Sequence, residues 1–328
     1  IEFGPQYVFA DQFKFTQDNQ SIHLQSSQEG KDMALNFSAF DLHSLSQIIE
    51  DDTLFVQGIL EGEVKLKDFL QKPAFTSELK IKDFTFKKSR VGNLHITADN
   101  LTAEHYTAKV ILTDSINKAT ISGYYLTTRQ KDGLHFTADI ELIQLSTLEA
   151  FTGDQLSESN GFVKGNIAIT GAAKAPKFNG NIQFVDASTK VKYLNQRLAM
   201  KKETITISPE KVNFNNFKIT DTLNNEAIIN GYVGIESFSD MKFNLNLTTN
   251  DFMVLNTKAL NNKLYYGKVI LDSKISVRGN QTLPIIKADI KIIRGSHFTF
   301  AIPDSKISVD RGDGIVVFTS DSSSLDPI

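Results

Sequence analysis

Residues 161–184 read GFVKGNIAITGAAKAPKFNGNIQF and alternate apolar with small or polar side chains along most of their length. Ile167 and Ile169 are separated by one residue, and the same spacing recurs after Pro176. Since successive side chains of a β-strand point to opposite faces, this period predicts two strands, each with one apolar face. Four glycines interrupt the alternation, and together with Pro176 they are expected to turn the chain between strands.

The same alternation recurs along almost the whole chain, in segments of mostly five to seven residues. These segments are rich in Ile, Val, Phe and Tyr, which suit a pleated and half-buried surface, and Asn, Asp, Gly and Ser separate them. Helical candidates are few and short, and they cover residues 44–52, 145–151 and 254–260. One-sided strands with so few helices exclude a parallel sheet covered on both faces and predict an all-β fold.

Three glycine-led segments are similar to one another and begin at Gly58, Gly161 and Gly267. The first two glycines are 103 residues apart (161 − 58) and the last two 106 (267 − 161). A second block, TDSINKATISGYY at 113–125, recurs as TDTLNNEAIINGYV at 220–233. The chain is therefore predicted to hold about three copies of one unit. The expected divisions are a partial unit over 1–57, full units over 58–160 and 161–266, and a partial unit over 267–328.

A repeat of this length fits either one continuous array or a string of separate domains. Separate domains would be joined by exposed polar linkers, yet strand-like alternation continues through the unit boundaries. We therefore expect residues 1–328 to form one continuous sheet. Neither end has the composition of a native terminus, so we also expect the chain to be a segment of a longer protein. Tandem β-sandwiches with closed cores, acting as an adhesin or spacer, are the alternative. A third interpretation, an outer-membrane barrel, requires strands of about 9–11 residues and is disfavoured by the short segments.

The order and spacing of these motifs resemble the C-terminal domain of the TamB family, a translocation and assembly module subunit. The resemblance rests on G-x-x-x-G-x-I-x-I-x-G-x-x-x-x-P-x-F-x-G-x-I-x-F at 161–184 and on the TD-x-x-N…A-x-I-x-G-Y block. It is densest over 161–303 and looser over 13–150. NTKALNNKLYYGK at 256–268 is similar to the Bacteroidota versions of the family.

The resemblance implies an AsmA-like, bridge-like lipid transfer protein, whose sheet is long, strongly curved and folded into a trough with an apolar inner face (a β-taco). It implies a periplasmic segment of a protein that is anchored in the inner membrane and works with an outer-membrane Omp85-type (TamA-like) barrel. The implied activity is the carriage of phospholipid between the two membranes, with outer-membrane protein assembly as a further role. The protein is expected not to be an enzyme and to have no catalytic residue, metal or cofactor.

An apolar face on every strand must be covered, because burying one large apolar side chain is favourable by about 1.5–3 kcal/mol. The facing wall of the trough or an acyl chain can supply the cover, and the sequence favours neither for any single residue. The alternation predicts fifteen groove-lining positions, provided that no strand slips in register by one residue. They are Leu66, Ile81, Ile96, Ile121, Phe136, Ile167, Ile169, Ile182, Phe184, Ile207, Ile229, Leu245, Val277, Ile292 and Phe300.

The sequence carries little that indicates other chemistry. It has no cysteine, which excludes thiol catalysis and cysteine-based metal sites, and its formal net charge of −3 gives no footprint for nucleic acid. The six histidines lack metal-ligand spacing, and no phosphate-binding or nucleophile motif occurs. DRGDG at 310–314 is interpreted as a turn, and the basic stretch from Lys80 to Arg90 as a solvated strand face and turn.

Overall fold

The structure is a computed structural model and describes residues 2–4, 7–27, 31–44, 56–68, 73–87, 89–127, 133–235 and 240–301. The strands in chain order are β1 (Glu2–Gly4), β2 (Tyr7–Phe9), β3 (Phe13–Gln17), β4 (Gln20–Ser26), β5 (Met33–Asp41), β6 (Val56–Lys67), β7 (Ala74–Phe86), β8 (Ser89–Thr102), β9 (His105–Thr113), β10 (Asn117–Leu126), β11 (Gly133–Gln144), β12 (Leu156–Gly171), β13 (Lys177–Val191), β14 (Gln196–Met200), β15 (Thr204–Ser208), β16 (Lys211–Thr220), β17 (Glu226–Gly234), β18 (Lys242–Thr257), β19 (Tyr265–Asn280), β20 (Pro284–Ile292) and β21 (His297–Phe300).

Nineteen of these strands, β3 to β21, form one antiparallel sheet, and β1 pairs only with β2. Most strands of the large sheet pair with their neighbours in the chain, so the sheet is a long meander, although β21 pairs with β19 beside β20. A local ring of pairings forms where β13 contacts both β14 and β15, each of which contacts β16. Among the described pairings none joins β3 to β20 or β21, so the sheet runs from one edge to the other. The predicted long all-β sheet is thereby confirmed.

Many strands are two to three times as long as the alternation predicted. β12, β18 and β19 each have 16 residues, so the expectation of five to seven residues is wrong. The reason is that β-bulges insert extra residues and shift the alternation within one continuous strand. Strand length consequently carries no weight in choosing among the three interpretations of the sequence.

Several of the bulges place Asp or Asn in a left-handed backbone conformation in the middle of a strand. Asp186, Asn216 and Asp251 have φ of 45°, 47° and 49°. The backbone N–H of Asn216 donates to the Asn230 side chain at 2.8 Å, and that of Asp251 donates to the Asp272 side chain at 2.8 Å. Asp and Asn tolerate this conformation better than other residues with a Cβ, and a bulge bends its strand and increases its twist. The bulges therefore give the sheet its curvature.

Of the four glycines in residues 161–184, only Gly171 lies next to a turn. Gly161 and Gly165 lie inside β12, Gly180 lies inside β13, and only Gly171 ends a strand, next to the hairpin that contains Pro176. A Cβ on Gly165 would lie 2.0 Å from the carbonyl oxygen of Asn181 on the neighbouring strand. Glycine is needed there because two strands approach too closely for any side chain, so the turn expectation was wrong for these three positions.

Helical structure is minor. α1 covers Leu145–Leu148 and continues as a 3₁₀ turn over Glu149–Phe151, which confirms the prediction for 145–151. A second 3₁₀ turn covers Lys192–Leu194. The helix predicted over 254–260 is wrong, because β18 runs on to Thr257. The candidate over 44–52 lies almost wholly outside the described residues, as does the turn predicted at 310–314.

Strands recur with the period of the sequence repeat. The Gly58, Gly161 and Gly267 segments form β6, β12 and β19, and the strand that follows each is β7, β13, or β20 with β21. Each of these glycines lies inside a strand that pairs on both sides, so pairing continues across the unit boundaries. The division into units remains a prediction. No helix within the described residues is both long and apolar enough to span a membrane.

Candidate functional site: the inner face of the sheet

One row of directly paired residues runs across almost the whole sheet, and we call it the central row. Following the Cα partners from strand to strand gives one residue from each strand except β14 and β21. Every member is Ile, Val, Leu, Phe, Ala, Gly or Pro. The row is Phe15, Ile22, Phe37, Gly62, Leu79, Ile96, Val110, Ile121, Ala138, Ile167, Gly180, Ile207, Val212, Val233, Phe243, Gly279 and Pro284.

The adjacent row on the opposite face is almost entirely polar. It contains Lys14, His23, Asn36, Glu63, Glu78, Thr97, Lys109, Ser122, Thr137, Ala168 and Asn179. Its residues and their neighbours pair with one another, as in the 3.0 Å contact of Lys82 with Glu61 and the 3.2 Å contact of His95 with Glu78. The sheet therefore has one apolar face, which we call the inner face, and one polar face.

The register places all fifteen predicted groove positions on the inner face. Four lie in the central row, and the others lie in parallel rows on either side of it. The central-row positions are Ile96, Ile121, Ile167 and Ile207; the others are Leu66, Ile81, Phe136, Ile169, Ile182, Phe184, Ile229, Leu245, Val277, Ile292 and Phe300. Ile121, Ile292 and Phe300 are exposed by 39%, 69% and 63%, and the other twelve are half-buried. That these residues line a lipid path remains a prediction.

Two edges bound the inner face, and they differ in structure. The hairpin edge consists of the turns after β4, β6, β8, β10, β12, β15, β17 and β19. The loop edge consists of the connections after β3, β5, β7, β9, β11, β13, β16 and β18, and includes α1 and both 3₁₀ turns. Burial on the inner face changes from one edge to the other.

Next to the loop edge, the inner face closes on itself. Leu145, Val163, Ala187, Met200 and Phe217 form one buried cluster. The ring of Phe217 meets the rings of Phe184 and Phe214 edge-on, with centroids 5.7 and 5.5 Å apart. A second buried cluster consists of Phe40, Leu42 and Leu60. Here the protein covers its own apolar surface.

Next to the hairpin edge, the inner face stays partly open. Of the central row only Ala138 is buried, whereas Phe15 and Ile121 are exposed. At both ends of the sheet, grooves open next to the loop edge as well. One of 570 Å³ is lined by apolar side chains that include Leu255, Val269 and Ile292, and one of 400 Å³ lies between Phe15 and Phe40.

Four buried hydroxyl side chains on the inner face bond to one another in two pairs. The hydroxyl oxygens of Thr249 and Ser273 are 2.9 Å apart, and those of Ser159 and Thr189 are 2.7 Å apart, and all four residues are buried. Since each hydroxyl already has a partner, these groups offer little to a polar ligand.

Ionisable groups lie away from the inner face. Lys190 and Arg197 contact the Glu158 carboxylate at 2.9 and 2.7 Å, and the hydrogen bond from Lys190 is the main reason that the pKa of Glu158 is lowered. Within the described residues, no three His, Cys, Asp or Glu side chains are grouped as metal ligands.

Sequence reasoning missed the small residues of the inner face and the buried polar groups. Ala138 and Gly180 belong to the central row, and each lies two residues from a predicted position, which was the available signal. Asn117 and Asp221 are buried, and their side chains accept the backbone N–H groups of Gln144 and Met253 at 2.8 and 2.7 Å. The repeated TD-x-x-N block, which contains both residues, was the sequence feature that could have indicated them.

Comparison with known proteins identifies one family. Residues 215–326 match the family model described as the TamB C-terminal domain. No curated protein and no solved structure matched the chain. The matched segment contains β17, β18 and β19, whose inner-face residues continue the rows described above. The matched segment, residues 215–326, thus belongs to the TamB C-terminal domain family.

Proposed function

We propose that this chain carries the acyl chains of phospholipids along its inner face, as a periplasmic segment of a protein that bridges the inner and outer membranes. An inner-membrane anchor and an outer-membrane Omp85-type (TamA-like) barrel partner belong to the same proposal. The family match supports a TamB-type role.

The observation that carries the proposal is the central row. It takes one residue from each of seventeen strands and contains no polar side chain. With about 4.8 Å between neighbouring strands, sixteen spacings give an apolar track of about 77 Å. A globular core does not require an unbroken track of this length, because it closes within one domain. A path along which a hydrocarbon chain moves does require an unbroken apolar track.

The chemistry of the face favours hydrocarbon over polypeptide. A peptide laid on this face would bury backbone N–H and C=O groups, and each unpaired group costs about 1–3 kcal/mol. The inner-face hydroxyls already bond to one another, so they cannot satisfy those groups. An acyl chain has no such groups. A contribution to outer-membrane protein assembly would accordingly act through lipid supply or through the barrel partner.

The alternative of tandem β-sandwiches is less consistent with the fold. Sandwich domains would each close their own sheets, and pairing would stop between units. Here β11 pairs with β12 and β18 with β19, across the boundaries at 161 and 267.

The proposed mechanism is passive. Acyl chains lie against the inner face and move from one unit to the next, because neighbouring positions are chemically alike. Headgroups stay in water outside the trough. No residue performs covalent chemistry, and no cofactor is needed.

Lipid analysis of the purified protein tests the proposal. The protein is isolated from cell envelopes in mild detergent, and its bound lipid is measured by native mass spectrometry and by solvent extraction. We expect co-purifying phospholipid that detergent displaces in part. A protein that holds neither phospholipid nor detergent would contradict the proposal.

A further inference from the structure

The loop edge at the β19–β21 end of the sheet combines positive charge with exposed apolar side chains. We propose that it is a docking surface for a lipid bilayer that carries negatively charged headgroups. The surface, which we call the tip, consists of residues 192–195 between β13 and β14 and residues 258–264 between β18 and β19. The inference goes beyond the proposed function, because it concerns the surface on which the protein rests and not what the inner face carries.

Positive charge is concentrated at this end of the sheet. Residues 258–301 contain eight Lys and Arg, two Asp and no Glu, which gives a formal net charge of +6 (8 − 2). Since the whole chain has −3, the remaining residues sum to −9 (−3 − 6). Basic segments are attracted to anionic lipid headgroups, so a negatively charged membrane surface attracts this end of the sheet and repels the rest.

The two lysines between β18 and β19 are not neutralised by neighbouring carboxylates. Within the part of the chain that the structure describes, neither Lys258 nor Lys263 forms an ion pair. On β6 and β7, by contrast, Lys65, Lys80 and Lys82 contact glutamates at 2.7, 3.7 and 3.0 Å. The charges of the two tip lysines are therefore available to lipid phosphates.

An apolar side chain lies between these two lysines in the chain. Leu260 is 94% exposed, more than any other large apolar side chain that the structure describes, and Leu264 is 50% exposed. Tyr193, in the other half of the tip, is 62% exposed. This arrangement matches a bilayer surface, where leucine and tyrosine enter the interface and the lysine ammonium groups stay at the level of the phosphates.

The connection between β18 and β19 pairs its backbone groups internally. The N–H groups of Asn261 and Asn262 donate to the carbonyl of Lys258 at 2.9 and 3.1 Å, and the Asn262 side chain accepts the N–H of Leu264 at 2.9 Å. An unpaired backbone group is costly in an apolar medium. Because these groups already have partners, Leu260 can enter the membrane interface without that cost.

Two hydrogen bonds join the halves of the tip. The side-chain amide of Asn195 donates to the carbonyl of Asn256 at 2.6 Å, and the Tyr265 hydroxyl donates to the carbonyl of Tyr193 at 3.0 Å. The exposed side chains are thus presented from one bonded frame, so docking orders less of the protein than a loose loop would require.

The 570 Å³ apolar groove opens beside the tip, since Leu194 and Tyr265 line it. A docked tip therefore brings the groove to the membrane surface, where a phospholipid can pass between bilayer and protein. Only this consequence rests on the function proposed above.

Flotation with unilamellar vesicles tests the inference. The protein is mixed with vesicles of phosphatidylcholine alone or of phosphatidylcholine with phosphatidylglycerol, and the fraction that floats with the lipid is measured at low and at high salt. We expect flotation with the vesicles that contain phosphatidylglycerol and not with phosphatidylcholine alone. Flotation should decrease at high salt, because salt screens exposed charges.

Variants of the tip should bind these vesicles more weakly. The double substitution Lys258→Gln with Lys263→Gln is expected to weaken binding about thirtyfold, through the lost attraction of two lysines to an anionic surface. Leu260→Ser is expected to weaken it about tenfold, through lost apolar burial.

Matched controls change the same residue types elsewhere on the surface. Lys201→Gln with Lys202→Gln removes two exposed lysines between β14 and β15. Leu283→Ser removes a leucine that is 71% exposed in the turn after β19, at the opposite edge of the same end. Both controls should bind vesicles as the natural protein does, and circular dichroism checks the folding of every variant.

Equal flotation of tip variants and controls, or equal flotation with and without phosphatidylglycerol, overturns the inference. Self-association of the chain in place of vesicle binding, which light scattering detects, also overturns it. Phospholipid that co-purifies with the protein is measured in the same samples. A protein that carries lipid but ignores vesicles contradicts docking at the tip and leaves the proposed function intact, whereas one that binds vesicles and never carries lipid does the reverse.

Discussion

At the scale of single residues, glycine has a role that composition did not reveal. Gly165, Gly180 and Gly231 lie on the inner face, and a Cβ on any of them would come within 2.0 Å of a carbonyl oxygen on the neighbouring strand. Alternation predicted the large inward side chains correctly as strand residues. It did not predict these glycines, because close approach of two strands leaves no periodic signal in the sequence.

Gly165→Val is expected to destabilise the protein by about 1–3 kcal/mol, the usual cost of forcing atoms into a packed site. Ala168→Val, on the polar face of the same strand and opposite Asn179, adds two methyl groups to a Cβ that is already present and is the matched control. Chemical denaturation measures both. Equal midpoints for the two variants would show that Gly165 is not needed for close strand approach.

Glu158 supplies a pH-dependent contribution to stability. Lys190 and Arg197 hold the pKa of Glu158 below its ordinary value of 4.5, so the ionised form is favoured by folding. That contribution is present above the ordinary pKa and is lost as the pH falls through the lowered pKa. Glu158→Gln should therefore unfold at lower denaturant concentration than the natural protein at pH 7, with the difference disappearing in acid. A difference independent of pH would contradict the assignment to charge.

At the scale of strands, the sequence predicted their existence but not their lengths. The run KVNFNNFKIT at 211–220 contains two apolar residues before the bulge and two after it, out of phase by one residue. Read with a period of two, it breaks into two short segments. The structure makes it one strand, because the Asn216 N–H finds its acceptor on the Asn230 side chain.

Asn230→Ala removes the acceptor at this bulge and is expected to cost about 1 kcal/mol, as for a typical lost hydrogen bond. The Asn216 amide should also exchange with solvent faster, which hydrogen exchange detects at that position. Asn179→Ala, an exposed asparagine on the polar face of β13, is the control. Unchanged exchange at Asn216 would mean that the bulge does not depend on Asn230.

At the scale of the whole molecule, the continuity of the sheet followed from the repeat, whereas the buried clusters next to the loop edge did not. Val163 and Ile169 are both apolar, both inward and six residues apart, so the sequence gives no reason to treat them differently. Their burial is decided by α1 and by strands distant in the chain. Period and composition do not report such contacts.

Continuity predicts the outcome of limited proteolysis. Because pairing crosses the unit boundaries at 161 and 267, cleavage should not release stable fragments of about one repeat unit. Trimming from the chain ends is expected instead, followed by mass spectrometry of the products. Accumulation of folded fragments of about 100 residues would favour tandem domains.

The most direct test of the central claim compares two charge substitutions on one strand. Ile169→Asp places a carboxylate at a half-buried position of the inner face, and Lys164→Asp places one on the polar face, where Lys164 pairs with Gln183. Bound phospholipid is measured by native mass spectrometry, with circular dichroism as the check on folding. The account predicts that Ile169→Asp loses most of the bound phospholipid while Lys164→Asp retains it. Equal occupancy in the two folded variants would contradict it.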